Sequence, residues 1–318
     1  MIYVEAGSNP ARELSSYRAF HWVTGLSLFA TSVLIALGGF VHNTGSSLAC
    51  PDWPLCFGQV MPKMEGAVAI EHSHRLLGAA VGFFAVLGAF FSWNFRALRP
   101  DLFRASLWAL GLVIFQGVLG GATVLLGLSP LLSTAHLGTS QVFLGLLLWI
   151  FLRSRSQTGV IPAIDGRLVR PLAIAAAALY LQMLLGASIR HGGAGSICGL
   201  GWDSSLLCID QGTASESAVL WPASLPARFH MLHRFGAIAA SGVILWALLK
   251  VWRREGGRPL RALAGLALGL LLAQVTVGVF TVATYIGVTS TTLHLVLAAA
   301  LWATLLAMNF RARESQTA

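Results

Sequence analysis

Glu71, His72, Ser73, His74 and Arg75 stand together at one end of an apolar run, and a second cluster, His230, Met231, Leu232, His233 and Arg234, lies 159 residues further on. Each cluster is followed, 62 residues after His74 and 61 after His233, by a lone histidine in another apolar run, His136 and His294. Gln116 and Gln274 each sit 20 residues before that later histidine. Ionisable side chains inside membrane-length segments are expensive, which makes them functional by default. One histidine alone serves as readily as a hydrogen-bonding partner between helices; four at one depth, repeated by duplication, argue for ligands. Two imidazoles facing each other across a bundle are the usual grip on haem iron from both sides. Zinc competes, but a catalytic zinc site draws three protein ligands from close by, commonly with histidines at i, i+4. His72 and His74 point to different faces, whereas His230 and His233 can share one. A proton relay would add intramembrane carboxylates, and of these the clusters offer Glu71.

The two halves differ at that carboxylate. Glu71 stands three residues before His74 on the same helix face, where the second half carries His230. A carboxylate beside a haem can move protons or stabilise developing positive charge, which assigns chemistry to the first half and electron storage or transfer to the second. Arg75 and Arg234 directly follow the proposed ligands and are candidate partners for haem propionates, with snorkelling to the interface as their other role. His21, His42 and His191 border the ends of apolar runs, where ordinary interfacial roles are expected.

The elements that must position these residues follow from composition. The chain has 318 residues, of which 56% are hydrophobic and 10% charged, with a mean hydropathy of +0.74; soluble domains carry roughly a quarter charged residues. Eight apolar runs, at about 20–41, 68–93, 105–127, 132–152, 171–189, 227–249, 262–284 and 289–310, approach or exceed the roughly 17–25 residues that cross a bilayer as a helix. Period-two alternation is lacking, which excludes a barrel. The first run is too long for a signal peptide and is expected to be retained. The expected fold is an all-α polytopic membrane protein, with eight transmembrane helices as two pseudo-symmetric four-helix bundles, residues 1–155 and 156–318.

The net charge of +9 could point to nucleic acid, but the basic residues fall in short clusters between apolar runs and form no patch, so no nucleic-acid partner is expected. Of the 21 Lys and Arg residues, 16 lie on one side of the eight-span topology. The positive-inside rule makes that side the cytoplasm: both termini are expected there, in a cell (inner) membrane protein whose long loops 42–67 and 190–226 face outward. All four cysteines lie in those loops, Cys50 with Cys56 and Cys198 with Cys208. An oxidising exterior permits a disulfide within each loop; zinc is the competing reading, but neither pair has a two-residue spacer.

Eight spans in two halves, Glu71-x-x-His74-Arg75, His136, His233-Arg234, His294, and the loop from Thr44-Gly45-Ser46 through Cys50-Pro51-Asp52-Trp53-Pro54-Leu55-Cys56 together resemble the haem A synthase family over nearly the whole chain. The resemblance implies an oxidoreductase that converts the C8 methyl of haem O to a formyl group, giving haem A for terminal oxidases, by successive hydroxylation with water as oxygen source. It implies haem b as an iron cofactor held at His233 and His294, and substrate haem O between His74 and His136 beside Glu71. The cysteine pairs resemble those of the cysteine-containing branch of the family, with a structural or a redox role left open. Implied partners are the lipid bilayer, haem O and its synthase, terminal-oxidase assembly and an electron acceptor that the residues do not identify; a homo-oligomer is compatible. Two other functions use the same histidines without modifying a haem: a bis-histidine membrane cytochrome for electron transfer, and a haem exporter or chaperone.

Overall fold

Each apolar run folds as one helix because lipid offers no partner to unpaired backbone groups. The computed structural model describes residues 10–155, 163–202, 207–209 and 218–316. Its helices are α1 (Pro10–Asn43), α2 (Gly66–Trp93), α3 (Pro100–Leu125), α4 (Pro130–Arg155), α5 (Val169–His191), α6 (Leu225–Arg253), α7 (Arg261–Ala283) and α8 (Val288–Glu314). All eight are long and apolar enough to cross a membrane, and the chain is a multi-pass membrane protein. Three begin on proline, whose missing N–H has no intrahelical partner at that position anyway. The expected boundary between residues 155 and 156 falls at the edge of 156–162, outside the described residues.

Most helices run a few residues beyond their apolar runs, and α1 starts about ten residues early. Its polar first turns are held by Tyr17 and Phe20, which pack edge-on against Phe95 at 5.2 and 5.3 Å. The Tyr17 hydroxyl also donates to the Ser154 carbonyl.

Helices α1 to α4 close a ring of neighbours, each packing on the next and α4 returning to α1; α5 to α8 do the same. The two bundles meet where α4 packs on α5 and α8, and α1 on α8. Glycines let the backbones approach across that seam. A Cβ at Gly39 would lie 2.7 Å from Leu295, one at Gly138 2.6 Å from Leu184, and one at Gly145 2.9 Å from Trp302. Each bundle keeps its own apolar core, with Phe20, Leu102, Phe143 and Ile150 in the first and Leu172, Ile244, Leu301 and Leu305 in the second. Phe29, Phe83, Trp108 and Ile238 point outward and are more than half exposed, as lipid-facing side chains must be.

Duplication is visible in the turns. After α3, Leu126, Gly127 and Leu128 donate to Ala122, Val124 and Thr123; after α7, Thr284, Tyr285 and Ile286 donate to Phe280, Val282 and Thr281 in the same pattern. Both turns are left-handed at two successive residues, Gly127 and Leu128 (φ 64° and 60°) and Tyr285 and Ile286 (both 57°). At the end of the molecule remote from the cysteine loops, Arg153 bridges Asp101 (3.3 Å) and Glu314 (2.9 Å), tying α3, α4 and α8, and Arg254 meets Asp165 at 2.7 Å.

Candidate functional site

His74 and His233 stand eight residues beyond the first residue of α2 and α6, and His136 and His294 six beyond the first of α4 and α8. At 1.5 Å per residue this is roughly 12 and 9 Å from the same end of the bundle. His74 and His136 lie close enough to interact electrostatically, and so do His233 and His294. The four sequence-predicted histidines thus stand at one end of the molecule, two in each half. His74, His136 and His294 each keep a buried Nδ1 without a hydrogen-bond partner.

Each of these rings faces a glycine on the helix before its own. A Cβ at Gly38 would lie 2.9 Å from Cε1 of His74, at Gly120 3.3 Å from that of His136, at Gly186 2.8 Å from that of His233, and at Gly278 2.8 Å from that of His294. Glutamines add contacts: the Gln182 amide nitrogen lies 2.8 Å from His233 Nδ1 and donates to the His233 carbonyl at 2.8 Å. That of Gln274 lies 3.3 Å from His294 Nε2, and that of Gln116 donates to the His136 carbonyl at 3.3 Å.

Glu71 and Arg75 do not face an open pocket; they clamp the first cysteine loop. Glu71 is 3% exposed. Its Oε2 accepts the Cys50 N–H at 2.8 Å and its Oε1 pairs with Arg75. The Arg75 guanidinium also donates to the carbonyls of Cys50, Asp52 and Leu55. Asp52 folds the same loop by accepting the N–H groups of Phe57 and Gly58 at 2.7 and 2.8 Å. Those amides, Gly58 first, hold its carboxyl below the ordinary carboxylate range. The loop then reaches α3, where Trp53 lies against Gly121, the neighbour of Gly120, so that a Cβ at Gly121 would sit 2.7 Å from the indole. The loop is therefore a lid on the ends of α2 and α3, pinned one turn from His74 and beside the glycine that faces His136.

Cys50 and Cys56 are bonded to each other, as are Cys198 and Cys208. Among the described residues the close set of metal-type ligands is Cys50, Cys56 and His72, but both sulfurs are spent in the disulfide and His72 Nε2 meets the Val60 carbonyl at 2.9 Å. The second loop carries a two-residue antiparallel pair, β1 (Cys208–Ile209) with β2 (Ala218–Val219). It packs on Ala227 and Met231 of α6. Here Arg234 donates to the Leu207 carbonyl at 3.1 Å and keeps a buried Nη2 without a partner. Of the two candidate propionate partners, Arg75 is committed to the loop and Arg234 has a nitrogen to spare. His230, the counterpart of Glu71, is buried with its Nδ1 unpartnered.

At the cysteine-loop end of the seam His42 and His191 meet edge to face, with centroids 4.6 Å apart, while Arg190 donates to Asn43 Oδ1 at 3.1 and 2.9 Å. His21 lies at the other end of α1, 2.8 Å from Ser154 Oγ.

This donor set fits an iron porphyrin. Each half carries two imidazoles at similar depth, and His74, His136 and His294 each keep a buried Nδ1 without a protein partner, as suits rings that hold iron. Sequence reasoning missed Gln182 and the four glycines; the repeated spacing Gln-x-x-x-Gly at 116/120, 182/186 and 274/278 was the signal that carried them.

A family model described as "Cytochrome oxidase assembly protein" matches residues 21–71 and 64–306. A "Heme A synthase" of Shouchella clausii is 31% identical over 268 residues, covering 81% of this chain and 85% of that protein. One of Shewanella oneidensis is 26% identical over 91% of this chain and 95% of its own length, and one of Geobacillus kaustophilus is 26% identical over 84% and 83%.

Proposed function

The chain belongs to the COX15-CtaA family of cytochrome oxidase assembly proteins, and from that membership we propose that it is a haem A synthase, oxidising the C8 methyl of haem O to a formyl group for terminal-oxidase assembly. The observation that carries this reading is the duplicated histidine pair with a buried carboxylate in one half and an imidazole, His230, in its place in the other. Residues 1–155 hold substrate haem O between His74 and His136. In residues 156–318, His233 and His294 would hold haem b, which supplies a one-electron store when bound. Conversion of a methyl group and one water to a formyl group releases four electrons and four protons, so both an electron acceptor and a proton acceptor are required. Glu71 is the candidate proton acceptor: a carboxylate has lone pairs beyond those used by Cys50 and Arg75. Arg75 holds the lid that excludes bulk water, and Arg234, with its spare nitrogen, meets a propionate. The arginine-rich end with both termini faces the cytoplasm and the disulfide loops face outward across the cell membrane.

Co-expression with a source of haem O tests the reading. Extracted pigment should contain haem A, and should not when the chain is omitted. A membrane cytochrome or a haem exporter would leave haem O unchanged, and that outcome ends the proposal.

A further inference from the structure

Three of the odd-numbered helices carry glutamine four residues before glycine, Gln116 to Gly120 on α3, Gln182 to Gly186 on α5 and Gln274 to Gly278 on α7, and α1 keeps the spacing with Leu34 and Gly38. One helical turn separates the two positions, so they share a face. In each case the glycine meets Cε1 of a histidine on the following helix, the carbon between the two ring nitrogens. The residue one turn earlier meets the same histidine. Gln182 reaches Nδ1 of His233, and Gln116 reaches the backbone of His136. The backbones of Leu34 and Gln274 approach the rings of His74 and His294, although neither Nδ1 attains full hydrogen-bond geometry.

We propose that Gly38, Gly120, Gly186 and Gly278 are positioning residues that set the place and plane of the four imidazoles against the iron, with the residue one turn earlier steadying the same histidine. This rests on the reading of those histidines as haem ligands. The distances rank the four sites. Ordinary carbon–carbon contact begins near 3.5 Å, so an alanine at Gly186 or Gly278 pushes its ring by roughly 0.7 Å and one at Gly120 by roughly 0.2 Å. Metal–ligand bonds tolerate displacements of about 0.2 Å. Alanine at Gly186, Gly278 or Gly38 therefore exceeds the tolerance, and alanine at Gly120 sits at its edge. A free imidazole can swing aside, so the apoprotein folds with any of the four; the displacement is felt once the ring is tied to iron. Alanine also has the better helix propensity, which removes loss of helicity as a cause.

The test is low-spin electron paramagnetic resonance and haem content per purified protein, in chains co-expressed with a haem O source. Gly186→Ala and Gly278→Ala should shift the second-half signal or lower its haem occupancy by about tenfold or more, the range for changes that misorient a metal ligand. The first-half signal should persist in the same sample and report a folded chain. Gly38→Ala should do the reverse, and Gly120→Ala should have the smallest effect of the four. Gly265→Ala and Gly269→Ala on α7, and Gly117→Ala on α3, where a Cβ meets nothing within 4 Å, should match wild type. Wild-type signals in Gly186→Ala and Gly278→Ala would overturn the inference, as would a glycine variant that loses both signals together, which is a packing effect. His233→Ala and His294→Ala separate the two levels: haem retained in both ends the ligand reading itself, whereas haem lost there but undisturbed in the glycine variants ends this inference alone.

Discussion

Replacing Glu71 by glutamine removes one charge from a pair that is nearly out of solvent, with side chains 4% exposed for Glu71 and 11% for Arg75. Removing one partner of a buried ion pair costs about 3–5 kcal/mol when the other charge is stranded. Here Arg75 retains the carbonyls of Cys50, Asp52 and Leu55, and glutamine can still accept the Cys50 N–H, so the loss falls to about 1–3 kcal/mol, the scale of one mispaired buried group. That corresponds to roughly 5–150-fold more frequent opening of the lid, read as faster hydrogen exchange at the Cys50 amide. Product haems, normalised to folded protein loaded with haem b, then separate two roles. If Glu71 acts only as a clamp, Arg75→Ala, which frees the loop but leaves the carboxylate, should lower haem A output at least as much as Glu71→Gln. If Glu71 also accepts protons, its variant should fall well below Arg75→Ala and accumulate haem O or a hydroxymethyl intermediate. Wild-type output per loaded molecule in Glu71→Gln would refute the catalytic assignment, and unchanged exchange at Cys50 would refute the clamp.

Other outcomes follow from the same geometry. Peptides mapped without reduction should show Cys50 joined to Cys56 and Cys198 to Cys208; replacing the first pair by serines should lower stability by about 2 kcal/mol, as expected for opening so short a loop, measured by thermal unfolding in detergent. Asp165 has its carboxyl lowered to about 2, first by the Arg167 amide and then by Arg254. The folded pKa lies below the unfolded value, so this contribution is present above about pH 4 and is lost as pH falls toward 2; Asp165→Asn should flatten the acid limb of stability in that window. Tyr285 is exposed and left-handed at φ 57°, so Tyr285→Gly should match or raise stability, by up to roughly 1 kcal/mol, the strain of a non-glycine residue there; a clear loss in melting temperature would contradict that account.

Eight helices were legible because each needs an uninterrupted apolar run, and the place of His74, His136, His233 and His294 near one end of their helices was legible because duplication repeats their spacing. The early start of α1 was not, since Tyr17 and Phe20 are held by Phe95 in the turn after α2. Nor was the clamp: Glu71 reads as a helix residue near a ligand, and only the fold brings the backbone of Cys50 to it. The glycines escaped notice because an apolar helix carries many, and what distinguishes Gly38, Gly120, Gly186 and Gly278 is the ring that the neighbouring helix places against each.

The division of labour between the halves is tested most directly by the haems extracted from purified wild type, His74→Ala and His233→Ala, each co-expressed with a haem O source. His74→Ala should keep haem b and lose bound haem O and haem A, while His233→Ala should lose haem b. The same haem composition in both variants would contradict that division.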